Sequence, residues 1–320
     1  MVEIGYTMMC EQAPPAQLVD DAITAERTGF DYAVISDHYF PWLEEQGHSP
    51  YAWSVLGAAA YATERIPLMT YVTCPIMRYH PAVVAQKAAT IGALSGGRFT
   101  LGLGAGENLN EHVVGRGWPP VDTRHEMFAE ALEIIRVLLD GDYVTYHGEY
   151  FKVDSAKLYD LPDERMPIGV AASGERSAEL AANYGDCLVV NEPMKEAVDR
   201  FAAAGGVGRP VYGQLPVSYD QDADAALKRA HEQFRWAVGG WKVMAELPGP
   251  VNFAAHTQFV RPDDVAQNIS CGPDVEAVVE GVQAYVDAGF THVALVQVGE
   301  QQQPFFDWAG EELLPALREL

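Results

Sequence analysis

Short runs rich in Val, Ile, Leu and Tyr alternate with amphipathic segments from one end of the chain to the other. The runs are Glu3–Met8, Asp31–Ser36, Pro67–Thr73, Phe99–Gly104, Ile168–Ala171, Cys187–Asn191, Val211–Ser218 and His292–Val298. Parallel strands buried on both faces read this way. The intervening segments carry apolar residues close to a 3.6-residue period. They are Gln17–Arg27, Pro81–Leu94, Arg124–Leu139, Ser177–Asn183, Lys195–Ala203, Ala223–Phe234, Val275–Ala288 and Phe305–Leu317. Gly29 follows the first as a C-terminal cap, and Pro81 opens the second, where the missing N–H costs nothing.

Eight strands with helices between them predict a closed (β/α)₈ barrel of the TIM type in a single domain over residues 1–320. An open doubly wound sheet is the rival. Its GxGxxG fingerprint is missing after the first strand, and Gly102-Leu103-Gly104-Ala105-Gly106 after the fourth lacks the final spacing. Two stretches break the rhythm. Asp142–Val153 reads as a β-hairpin turning at His147-Gly148, and Trp236–Val260 reads as a loop insertion that shapes the barrel mouth.

Charge narrows the partners. Acidic residues number 45 against 21 basic, a formal net charge of −24, which repels nucleic acid and anionic membranes. No apolar run reaches the roughly 18 residues of a membrane span. The start, MVEIGYTMMCEQ, lacks the basic and apolar regions of a signal peptide. Cys10, Cys74, Cys187 and Cys271 form no CxxC pair, so reduced, buried thiols in a cytoplasmic protein are expected, with no metal site.

In such a barrel the chemistry lies just beyond the C-terminal ends of the strands. Asp37-His38 follows the second strand with Trp42 close behind; histidine titrates near neutrality and suits removal of an alcohol proton. Glu107 follows the fourth strand on a glycine turn, where it serves either as a helix-start carboxylate or as a proton carrier. Glu11 follows the first strand. The turns Gly104–Gly106 and Ala171-Ala172-Ser173-Gly174 both precede helices, an arrangement that offers backbone N–H groups to phosphate. Cys74 has no activating base, and His80, His125 and His292 read as structural.

Taken in order, Glu11-Gln12, Ser36-Asp37-His38 with Pro41-Trp42, Arg78-Tyr79-His80-Pro81-Ala82, Gly106-Glu107-Asn108-Leu109-Asn110-Glu111 and Ala171-Ala172-Ser173-Gly174 resemble the luciferase-like flavin and deazaflavin oxidoreductases. Within them the chain is most similar to the deazaflavin-dependent glucose-6-phosphate dehydrogenase group. The resemblance implies coenzyme F420, an 8-hydroxy-5-deazaflavin, as cofactor, with FMN the lesser alternative. It implies His38 as base, Glu107 and Trp42 around the cofactor ring and Glu11 assisting. It also implies a non-prolyl cis peptide joining Tyr71 and Val72. The cofactor would lie against Asp37, Tyr71, Val72, Cys74, Ala105, Gly106, Glu107, Asn110, Ala171, Ala172, Ser173 and Gly174. A homodimer and a small-molecule substrate follow from the same resemblance.

The substrate side departs from that group. After the sixth strand the chain reads Asn191-Glu192-Pro193-Met194-Lys195, and Gln267-Asn268 stands where the group carries an arginine. Trp42, Glu192, Lys195 and Lys242 are the candidate substrate residues, with the lysines holding the phosphate of a sugar-6-phosphate and a buried Glu192 opposing it. An unphosphorylated sugar or secondary alcohol is the neighbouring reading. An F420H2-dependent reductase, an FMN-dependent luciferase-like monooxygenase and a non-catalytic deazaflavin carrier are the further alternatives.

Overall fold

The structure, a computed structural model, describes residues 2–320. Eight parallel strands close on themselves: β1 Glu3–Met8, β2 Tyr32–Ile35, β3 Leu68–Thr70, β4 Phe99–Leu103, β5 Ile168–Ala171, β6 Cys187–Val189, β7 Val211–Ser218 and β8 His292–Gln297. Each pairs with the next. β8 returns to β1 through Ile4 opposite Val293, and β6 meets β7 through Leu188 opposite Val211. The (β/α)₈ barrel expected from the hydrophobic runs is the fold. An open sheet is excluded because no barrel strand is left without a second neighbour.

Burial explains the sequence pattern. β2, β3 and β6 are buried at every position, since helices cover one face and the barrel bore the other. β7 alternates, with Tyr212, Gln214 and Pro216 half-buried. The bore is filled by Tyr32, Val34, Met69, Tyr71, Cys187, Val189 and Ala294. Strand spacing there leaves no room at Gly102, where a Cβ would run into the Thr70 carbonyl. The Thr70 hydroxyl completes that contact by donating to the Gly102 carbonyl at 2.8 Å.

The helices start and stop where local chemistry directs. Pro15 and Pro81 open their helices, and Gly29 closes the first at φ 101°, donating its N–H to the Ala25 carbonyl. Asp222 and Asp274 cap Ala223–Phe234 and Val275–Asp287 with side-chain oxygens. No helix among the described residues is long and apolar enough to cross a membrane.

Two expectations need correction. The hairpin runs from Val144–His147 to Lys152–Ala156, so the turn spans residues 148–151 and the second arm extends three residues further than Val153. The Glu130 carboxylate organises that turn by accepting the N–H groups of Glu149, Tyr150 and Phe151. The stretch 236–260 is not a plain loop. It holds a 3-10 turn over Arg235–Gly239 and helices Trp241–Met244 and Pro250–His256, the second opened by its proline. Phe253 and Met244 are buried and pull these pieces over the barrel mouth, where they form a second small core with Trp42, Leu43, Leu109 and Phe234. A short bridge strand, Ser270–Cys271, beside β7 carried no distinguishing pattern in the sequence.

Candidate active site

The ends of β1, β2 and β4 bring three titratable groups into one line. His38 Nδ1 lies 2.9 Å from Glu11 Oε1, and His38 Nε2 lies 3.1 Å from Glu107 Oε1. Glu11 is 1% exposed and His38 9%. The Nδ1 contact is charge against charge and not an aligned hydrogen bond, since the ring N–H finds no acceptor in good geometry. Glu11 is held from behind by the Ser36 hydroxyl, which donates to Oε2 at 2.6 Å and itself accepts the Cys10 N–H. Glu107 stands at the start of the helical turn Asn108–Glu111, yet its carboxylate caps no amide and faces His38 instead.

The electrostatics follow from burial and pairing. Burial alone would lower the affinity of His38 for a proton; the Glu11 charge, then the contacts with Glu107 and Glu11, outweigh it and raise the ring to about 10. Burial pushes Glu11 upward, and the adjacent imidazolium overcomes that push and holds it below the ordinary carboxylate value. At neutral pH the ring of the free protein is therefore an imidazolium paired with the Glu11 carboxylate.

An aromatic wall stands against this line. The Trp42 ring lies 4.8 Å from His38, stacks on Trp236 at 4.2 Å and 7°, and meets Phe253 edge-on at 5.1 Å. Gln46 fixes the turn that presents Trp42 by accepting the N–H groups of Trp42 and Leu43. Trp236, Phe253 and Gln46 were not individually legible as site residues. Trp236 lies 194 positions from its stacking partner, and only the break in strand–helix rhythm marked its segment.

Beside the acid–imidazole line lies a floor of small residues at the ends of β3, β4 and β5. The Tyr71–Val72 peptide is cis, as the resemblance implied. A Cβ on Gly104 would meet Val72 Cγ2 at 2.7 Å and Ala171 Cβ at 3.5 Å, so these three residues form one surface. Gly106, at φ +79°, continues it; a Cβ there would collide with the Cys74 sulfur. Burial, and then the Glu111 charge, push the Cys74 thiol well above its usual range, so this cysteine packs and does not react. Glycine at 104 and 106 lets the ends of β3, β4 and β5 pack against one another, and the small residues at that rim, bordered by a charged wall, fit a flat tricyclic ring.

Other expected contacts are already engaged within the protein. Asp37 accepts from Trp53 Nε1 and Thr73 Oγ1 on one oxygen and from Arg78 Nη2 and Tyr79 OH on the other. Arg78 also faces Glu111, which burial raises to about 7 against the pull of the guanidinium. Asp37 thus anchors the β2, β3 and β4 loops to one another, and a cofactor donor would meet a carboxylate that already has four protein donors. The Ser173 and Gly174 N–H groups point to the Ser177 hydroxyl, so the anion site expected there has two of its donors occupied. Ala172 is buried and donates to the Val189 carbonyl. His80 caps its helix, and His292 stacks on Tyr212, both structural as expected.

The substrate residues are partly corrected. Glu192 is exposed, not buried. Lys195 is 63% exposed and paired with Asp199 at 2.6 Å one helical turn away, and Lys242 is exposed. Around the mouth insertion, Lys228, Arg229, Arg235 and Arg261 are taken by Glu232, Asp220, Glu45 and Asp264.

Residues 2–292 match the family described as luciferase-like monooxygenase, and the chain belongs to that family. It is 36% identical, over 100% of both chains, to an F420-dependent glucose-6-phosphate dehydrogenase of Intrasporangium calvum. It is 34% identical to an enzyme of the same name from Microbacterium testaceum, over 99% of this chain and 98% of the other. Among solved structures it is similar to an F420-dependent secondary alcohol dehydrogenase in complex with an F420–acetone adduct, at 32% identity and a TM-score of 0.91, over 99% of each chain.

Proposed function

We infer that this protein is a coenzyme F420-dependent dehydrogenase that oxidises a CH–OH group. The observation that carries the reading is His38 held between Glu11 and Glu107, against Trp42 and beside a floor of small residues. Val72, Gly104, Ala105, Gly106 and Ala171 would hold the ring. When bound, the deazaflavin supplies an acceptor for two electrons and the carbon-bound hydrogen.

The protein's own part is proton handling and orientation. His38 and Glu107 together hold one proton between two bases 3.1 Å apart. The ring's Nε2 proton passes to Glu107, and the lone pair this frees at Nε2 takes the proton of a hydroxyl presented there, so the pair gains one proton in total. Glu11 favours the charged ring before and after that exchange. Trp42, backed by Trp236 and Phe253, excludes water from that exchange.

The names of the full-length relatives support a sugar-6-phosphate as substrate. A second reading, an uncharged secondary alcohol, is favoured by the aromatic wall beside His38 and by the pairing of Lys195 with Asp199. A phosphate dianion is normally met by several free donors. The same overall reading includes a cytoplasmic homodimer; helices Ala52–Ala62 and Pro81–Leu94 leave Tyr61, Val83 and Leu94 exposed, an apolar face that a second copy would cover.

The cofactor reading is tested by equilibrium titration of the purified protein with F420 and with FMN. Saturable one-to-one binding of F420, at least about tenfold tighter than FMN, is the expected result. Preferential retention of FMN would overturn it.

A further inference from the structure

Lys87 stands on helix Pro81–Leu94, and its Nζ is buried with no hydrogen-bond partner among the described residues. Three aromatic rings hold the ammonium instead. Nζ lies 3.2 Å from the ring centroid of Tyr79, 5.0 Å from that of Tyr51 and 5.4 Å from that of Trp53. Two of these rings carry the polar hydrogens that hold Asp37. Tyr79 OH donates to its Oδ1 at 3.2 Å, and Trp53 Nε1 donates to its Oδ2 at 3.0 Å. We propose that Lys87 is a positioning residue whose charge, acting through Tyr79 and Trp53, fixes Asp37 and with it the β2 loop that carries His38.

An ammonium over a ring face is held by the negative π surface of the ring. The cation draws electron density from the ring in return, so the Tyr79 hydroxyl and the Trp53 indole N–H become stronger donors to the carboxylate. A buried ammonium without a hydrogen bond is otherwise costly. A methionine would fill the same space without that cost, so helix packing alone does not ask for a charge at this position. Arg78 already supplies the direct ion pair to Asp37, with Nη2 at 3.1 Å from Oδ1. Lys87 adds to that contact through the rings and does not duplicate it.

The charge can also be removed without a substitution. Burial lowers the Lys87 ammonium to about 8, with the Asp37 charge opposing that and Arg78 adding to it. Burial pushes the Tyr79 and Tyr51 hydroxyls and the Cys10 thiol upward. At Arg78, burial is outweighed by the Asp37 and Glu111 charges, which hold the guanidinium above its ordinary value. His38 stands at about 10. Glu111, at about 7, faces Arg78, and any step it causes is common to the wild type and to variants at Lys87.

For its effect on rate this inference rests on the dehydrogenase reading, and a readout on the cofactor-free protein keeps the two apart. The Trp53 indole N–H resonance, assigned with Trp53→Phe, is followed by NMR from about pH 6 to about pH 9 in the wild type, Lys87→Met and Lys87→Arg. In the wild type it should move between two limits as Lys87 loses its proton. Lys87→Arg, which keeps the charge, should stay near the acid limit, and Lys87→Met, which keeps only the length, near the alkaline limit. At about pH 7, kcat of Lys87→Met should fall about 3–10-fold, with Lys87→Arg within about twofold of the wild type. An indole resonance that moves alike in Lys87→Met and the wild type would overturn the proposal. So would equal displacement and equal rate loss in both variants, which would make the role one of size and not of charge. If the wild type oxidises no alcohol, the dehydrogenase reading falls and the indole resonance alone decides the role of Lys87.

Discussion

Replacing His38 with alanine is expected to lower kcat for alcohol oxidation by about 10²–10⁴-fold, the usual scale for a lost proton-transfer group. F420 affinity should stay within about threefold, because the floor of Val72, Gly104, Gly106 and Ala171 does not depend on the ring. The size of the effect follows from position. Among the described residues His38 alone pairs with both Glu11 and Glu107, so its removal takes away the group that links them. Steady-state kinetics with cofactor binding measured in parallel checks this. A His38→Ala variant with wild-type kcat would remove the ring from the mechanism.

Glu11→Gln is expected to have the largest effect on protonation and stability. The substitution keeps an acceptor for the Ser36 hydroxyl and removes the charge that most strongly favours the imidazolium. The His38 ring should then titrate at least about one unit lower, as NMR of the ring would record. Breaking a buried ion pair costs up to about 3–5 kcal/mol, and the ring escapes part of that by giving up its proton.

The sign can be worked through. The folded ring binds its proton more tightly than the ordinary histidine value of 6.5, being raised to about 10, so the stabilisation is complete below about 6.5 and is lost as pH rises through about 10. The stability gap between wild type and variant should therefore be widest at mildly acidic pH and should close toward pH 10. A gap that widens with pH would mean that Glu11 does not hold a charged ring.

Much of this architecture was legible because barrels tie function to topology. Once Glu3–Met8, Asp31–Ser36 and Phe99–Gly104 read as buried strands, Glu11, His38 and Glu107 had to emerge at one rim. Trp42 followed by proximity to His38. The polar wiring was not legible, because a residue type does not reveal which partner claims it. Asp37 and Asn110 read as cofactor contacts in sequence, and the fold adds the protein partners that no residue type announces: Trp53, Thr73, Arg78 and Tyr79 for the one, Glu107 and two backbone amides for the other.

Lys195 lies at a strand end, where topology points to the mouth, but a carboxylate one turn along the same helix offered a nearer partner. The mouth insertion was recognised by its break in rhythm. Its short helices escaped notice because pieces of four to seven residues are too short to display a period.

The central claim is most directly tested by the absorbance of oxidised F420 mixed with the purified protein. The panel is glucose-6-phosphate, other sugar phosphates, free sugars and isopropanol. The account predicts bleaching with at least one CH–OH substrate. Bleaching by a sugar phosphate would mean that cations at the mouth rearrange to meet the anion, and bleaching by uncharged alcohols alone would bear out the aromatic-wall reading. Bound F420 that no alcohol on the panel bleaches would contradict the dehydrogenase.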